Sequence, residues 1–203
     1  MTIRWRLLPA SIRVLLVGAT LGALAACGDG GGTSGGGLNA DQIAVAHTPP
    51  GGYGNAFPAA VLADCTEPLV DGAPDLRGIW KAADVTVNGE PAPPDHRAWR
   101  SFQRVEQCGD RIVITGNGVI HDMRADGTEE NGVHDVAEFD FTTPINVVAT
   151  YEDGVHVLRP VGIPGVEVRR RRDGVQLIWD YLGGVSVRLE RTGPPESAPP
   201  ALD

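Results

Sequence analysis

Two histidine–aspartate pairs, His121-Asp122 and His134-Asp135, lie in a stretch that nearly repeats itself, NGVIHD followed by NGVHD. Imidazole nitrogens and carboxylate oxygens are ordinary zinc ligands. A neutral imidazole also offers one donor and one acceptor to a ligand carboxylate or hydroxyl. A second candidate is the run Arg169-Arg170-Arg171-Arg172. Guanidinium forks match carboxylate and phosphate geometry, so these arginines are candidate anion contacts at the end of a hairpin. The blander readings are hydrogen-bonded core histidines and a solvated arginine tip. Enzyme signatures are missing: there is no G-x-S-x-G, HExxH, P-loop or G-x-G-x-x-G before a helix. The expectation is a protein that is not an enzyme, with no cofactor and no resident metal.

The elements that position these residues read as strands. From Leu76 onward the hydrophobic pattern has period two, broken by Gly109-Asp110, Asp126-Gly127, Asp153-Gly154, Asp173-Gly174 and Gly183-Gly184. Such Gly/Asp pairs supply the positive φ angles of tight hairpin turns. Strands are expected near 76–88, 98–108, 111–124, 129–141, 145–152, 155–160, 166–172, 175–182 and 185–192. This is an all-β, antiparallel up-and-down meander of 8–9 strands. Closure into a barrel hides its edges, with an open sandwich as the alternative. A two-residue turn at Asp126-Gly127 pairs Ala125 with Thr128. Alternation then places His121 and His134 on the apolar face with Val119, Met123 and Val136, and Asp122 and Asp135 on the solvent face. The expected ligand-binding residues are His121, His134, Met123 and Val119. A site with all four His and Asp ligands is excluded by that parity, but a two-His metal or haem site is not.

Gly78-x-Trp80 at the start of the first strand resembles the signature of lipocalins and the wider calycin barrels. The resemblance implies a tryptophan at the closed end of the barrel, crossed by an arginine from the last strand. Arg191 shares parity with the apolar Val185, Val187 and Leu189 and is the residue expected there. The resemblance further implies binding of a small apolar or amphipathic ligand in the lumen.

Residues 1–26 carry Arg4, Arg6 and Arg13, no acid, and an apolar run ending in Leu24-Ala25-Ala26-Cys27. This pattern describes a secretory signal peptide. Its end resembles the lipobox of bacterial lipoproteins, which implies cleavage before Cys27, acylation of that residue and retention at a membrane. Gly28 after the cysteine leans toward the outer membrane, facing the periplasm. Residues 27–57 read as a lipidated cysteine and flexible Gly-rich linker, 58–194 as the barrel and 195–203 as a disordered tail. Without residues 1–26 the chain carries 14 basic against 26 acidic side chains. That balance excludes general nucleic-acid binding. Cys65 and Cys108 are left as one pair in an oxidising compartment and are expected to form a disulfide.

The leading expectation is therefore a lipid-anchored envelope binding protein. The alternatives are a structural or assembly lipoprotein with a filled barrel that contacts other envelope proteins, and a His-based metal or haem protein.

Overall fold

The computed structural model of the chain describes residues 37–198. The signal peptide, Cys27 and residues 199–203 lie outside the described residues. Period-two alternation builds strands β1 (Gly78–Val87), β2 (Glu90–Pro91), β3 (Phe102–Cys108), β4 (Arg111–Gly116), β5 (Val119–Arg124), β6 (Val133–Val136), β7 (Pro144–Glu152), β8 (Val155–Pro160), β9 (Val168–Asp173), β10 (Gln176–Tyr181) and β11 (Val185–Gly193). The antiparallel path runs β5-β4-β3-β1-β11-β10-β9-β8-β7-β6, with β2 paired only to β1. The first and last strands are thus joined by a full ladder. The two ends of the path, β5 and β6, are consecutive in the chain, and they meet at a seam. Across it Arg124 N–H donates to Asn131 O at 2.8 Å and the His121 ring bonds Val136 O at 3.1 Å. The expected antiparallel meander is present and nearly closed, with ten strands on the path rather than eight or nine.

The extra strand comes from a turn that the expected segment 111–124 ran through. Asn117 and Gly118 both have positive φ, 50° and 91°, the pair of angles a type I′ turn requires. β4 and β5 form a hairpin there, in register from Gly116↔Val119 to Arg111↔Arg124. Asp126-Gly127 does not close a hairpin. Gly127 N–H donates sideways to Ala149 O on β7. The Asp126 carboxylate instead accepts from Thr128 N–H, Thr128 Oγ1 and the Asn131 amide. A Cβ on Gly132 would stand 2.2 Å from Val147 O. Glycine lets this loop lie directly on β7 and carries β6 away from β5.

One end of the barrel is packed solid. Trp80 is fully buried and its indole N–H donates to Leu76 O at 2.9 Å. Leu76, Leu177, Leu189 and Val187 surround it in one apolar cluster. The Arg172 guanidinium lies 5.0 Å from the Trp80 ring centroid. Arg191 pairs with Trp80 in register. A Cβ on Gly78 would stand 2.7 Å from Arg191 Nε and 3.1 Å from the indole nitrogen. Gly78 therefore leaves room for Arg191 beside the indole edge. The arginine over the ring face comes from β9, which corrects the expectation that the last strand supplies it.

Residues 38–65 are not a free linker. They form a strap over the outer face of β3, β4 and β5. Asn39 caps a short 3-10 turn, Ala40–Gln42. Arg111 donates to the carbonyls of Ala40, Ile43 and Ala44 at 2.7–2.9 Å and forks onto the Asp122 carboxylate at 2.6 and 2.8 Å. Asp122 also accepts from Ala46 N–H at 2.9 Å, and Glu106 accepts from Leu62 N–H at 2.6 Å. Val113, Ile120, Ala40 and Leu62 make a second, smaller apolar cluster beneath the strap. Cys65 and Cys108 form a disulfide with Cα atoms 6.1 Å apart, tying the strap to the end of β3. The start of the expected tail is held too: Pro195 is buried, and Ser197 O accepts from Arg104 at 3.4 Å.

Candidate ligand site in the barrel lumen

Inward-facing residues above Trp80 change from apolar to polar. Val168, Arg170 and Arg172 alternate inward on β9, as Leu177, Trp179 and Tyr181 do on β10. Arg170 pairs with His156 on one side and Trp179 on the other. It is buried, makes no salt bridge among the described residues, and donates one hydrogen bond, Nε to Gln103 Oε1 at 3.3 Å. Its guanidinium lies 5.4 Å from the Trp179 ring centroid, and Nη1 has no partner. His156 is fully buried, with neither ring nitrogen partnered, and Trp179 Nε1 is also unpartnered. Burial, reinforced by the Arg170 charge, holds His156 down at a pKa of about 3. Burial also lowers Arg170, to about 10, so it stays cationic at neutral pH. An unpaired buried polar group costs free energy, and each one needs a reason.

Directly above this cluster is a cavity of about 350 Å³ bordered by Arg170 and Trp179, with Val133, Val147, Leu158 and Val168 among its apolar walls. Tyr181, raised to about 12 by burial and the nearby Glu138 carboxylate, and Glu138 itself stand on its upper wall. The mouth is rimmed by exposed apolar side chains, Phe139, Val161, Ile163 and Leu182.

The structure separates the residues that parity had grouped. His121 borders the cavity, and burial lowers its pKa. His134 is on the outer surface, bonded to Asn146 Oδ1 at 3.0 Å and Glu129 O at 2.7 Å. The reason is the eight-residue connection from Ala125 to Gly132, which sets β6 one residue out of the expected phase. Val133, not His134, faces the core. A two-His site is therefore not formed. Met123 is buried in the main core and Val119 is buried near the Asn117-Gly118 turn, but neither borders the cavity. Asp122 does point outward, as expected, yet it is buried under the strap rather than solvated. Asp135 accepts from Thr48 N–H at 2.9 Å and helps pin the strap across the seam.

The arginine run splits by alternation. Arg169 pairs with Glu167 at 2.8 Å and Arg171 with Asp180 at 2.6 Å, both on the outer surface. Arg172 stacks at the closed end, and Arg170 alone reaches the cavity. Gln103 was missed in the sequence, because a lone glutamine in an apolar strand has no distinguishing pattern. His156 and Trp179 were visible as residues, but their neighbours were not.

No protein-family profile matches the chain, and no curated protein matches it. Among solved structures the chain is similar to human cRBP IV, with a TM-score of 0.44 and 13% identity over 58% of this chain and 98% of that chain. The barrel described above stands on its own strand order and register.

Proposed function

We propose that the barrel binds one small amphipathic acid, with the acidic group at Arg170 and the apolar part in the cavity above it. One observation carries this reading: a buried guanidinium with an unpartnered Nη1 and no salt bridge among the described residues, opening onto a largely apolar cavity whose carboxylate, Glu138, does not bond to it. Arg170 is cationic at neutral pH, and charge-assisted bonds to a carboxylate are stronger than neutral ones. His156, held neutral, can donate or accept beside it. The ligand's acidic group would bond Nη1 directly, which Glu138, on the upper wall of the cavity, does not. The filled-barrel alternative describes the Trp80 end only.

Residues 1–27 support a place for this module: cleavage before Cys27, acylation of that cysteine, and retention at the outer membrane facing the periplasm. Several acyl chains on one residue give stable anchoring. Membrane fractionation of a Cys27→Ala variant tests this, and normal membrane retention of the variant would refute it.

Ligand binding is tested by displacing a fluorescent fatty-acid analogue with straight-chain acids and with the alcohols of equal length. Acids are expected to compete about tenfold or more better than alcohols, a difference of about 1.4 kcal/mol or more. Arg170→Gln should abolish that preference. Equal competition by acid and alcohol would remove the anion reading, and no uptake of the analogue would remove the ligand reading altogether.

A further inference from the structure

The disulfide has an unexpected neighbour. Glu67 Oε2 lies 3.9 Å from Cys108 Sγ, and the two sulfurs and a Glu67 oxygen all lie within 4.8 Å of one another. Three segments hold the carboxylate there. Ala40 N–H donates to Oε2 at 3.0 Å. The β3–β4 turn passes beneath it at Gly109 (φ +60°), where a Cβ would stand 2.8 Å from Oε1. The Cys65–Cys108 link fixes the third side. In the oxidised state this proximity brings no stabilisation, because neither a disulfide sulfur nor a carboxylate can donate a hydrogen bond. With the sulfurs reduced, the same three atoms would belong to two thiols and a carboxylate within reach of one cation.

We propose that Cys65, Cys108 and Glu67 form a thiol-gated site for a soft divalent cation such as Zn²⁺, closed by the disulfide and opened by its reduction. Two thiolates and one carboxylate, with water in a fourth position, are a normal tetrahedral zinc set. Ligand atoms around zinc stand roughly 3.3–3.8 Å apart at the usual bond lengths, so capture needs movements of about 1 Å. Cys108 is fully buried and Cys65 is half-buried. An external dithiol therefore attacks at Cys65, and Cys108 leaves. The dithiol supplies two electrons and two protons and ends as a disulfide, while the protein ends with two thiols. Zn²⁺ then displaces both thiol protons to solvent. Bound metal replaces the covalent link between strap and barrel, so the strap stays docked in either state. This inference is independent of the ligand proposed for the lumen.

The test uses the purified protein, oxidised or reduced with a phosphine, titrated with Zn²⁺ against a chromophoric chelator. Reduced protein should take up one Zn²⁺ per chain and oxidised protein none. Co²⁺ substitution should give thiolate-to-metal charge-transfer absorption. Cys65→Ser/Cys108→Ser should lose the site, and Glu67→Gln should weaken it at least about tenfold, the loss typical of a disturbed metal site. Equal uptake by the reduced protein and the double serine variant would overturn the proposal. So would an unchanged affinity in Glu67→Gln, or loss of the β-sheet circular dichroism on reduction, since the site requires the folded barrel.

Discussion

Arg111 and Arg170 are both buried arginines on strands of one barrel, and their surroundings differ in kind. Arg111 faces outward beneath the strap. Its Nε, Nη1 and Nη2 together make five hydrogen bonds, two to Asp122 and three to strap carbonyls. Arg170 faces inward and makes one, at 3.3 Å, to a neutral amide. The first is complete within the protein and fastens one segment to another. The second leaves a guanidinium nitrogen without an acceptor beside an open cavity. Burial alone therefore does not distinguish the two arginines; the count of donors left without acceptors does.

The contrast can be broken in four ways, in decreasing order of effect. Arg111→Met should destabilise the fold by about 3–5 kcal/mol, because Asp122 is left buried and unpaired. Urea unfolding reads this directly, and Arg111→Met/Asp122→Leu should recover much of the loss. A cost below about 1 kcal/mol would mean that the strap does not depend on the pair. Arg170→Met should leave the free protein as stable as before or more so. In the wild type, a straight-chain acid at about 100 times its Kd should stabilise by about 2.7 kcal/mol. The variant should show none of this in a thermal shift.

The third test is pH. His156 has a folded pKa of about 3, below its unfolded value of ~6.5. The unfolded chain thus binds the extra proton first. Stability is intact above about pH 6.5 and falls as pH drops toward about 3, by about 1.4 kcal/mol per unit from this group. At pH 5 the deficit should be about 2 kcal/mol, and His156→Gln should flatten it. An unchanged slope in the variant would place the acid sensitivity elsewhere. The smallest effect separates the two histidines of the near-repeat. His134→Ala should change stability by within about 0.5 kcal/mol, as surface substitutions do, and leave acid binding unaltered. His121→Ala should alter affinity for the same acid, and identical isotherms for the two variants would contradict their opposite placement.

The fold class was legible because period-two alternation and Gly/Asp turns are local signals. Gly78 and Trp80 marked the closed end only through the resemblance of their Gly-x-Trp pattern, since the residues packed on them, Arg172, Leu177 and Arg191, are far away in the chain. The seam was not legible. Asp126-Gly127 has the composition of a hairpin, but its backbone bonds to β7, a strand some twenty residues away, and nothing in the pair announces that. The true turn, Asn117-Gly118, was the stronger signal and lay hidden in an apolar run that read as one strand. The His121/His134 pairing failed with the turn, since one residue of phase exchanges the two faces of β6. The strap was illegible for another reason. It is held mostly through its backbone by buried Arg111, Asp122 and Glu106 side chains, and a backbone contact leaves no trace in the composition of the segment it binds. Arg170 was visible only as one of four identical neighbours, and alternation between the two faces of β9 distinguishes it.

The docked strap also sets a direction. Leu38 bridges to Cys65, beside Cys108 and the β3–β4 turn, at the end of the barrel sealed by Trp80. The cavity opens at the other end, among the loops carrying Phe139, Ile163 and Leu182. Entry to the cavity and the held start of the strap are thus at opposite ends of the barrel, so a ligand entering past Phe139 and Ile163 would not disturb the Cys65–Cys108 link.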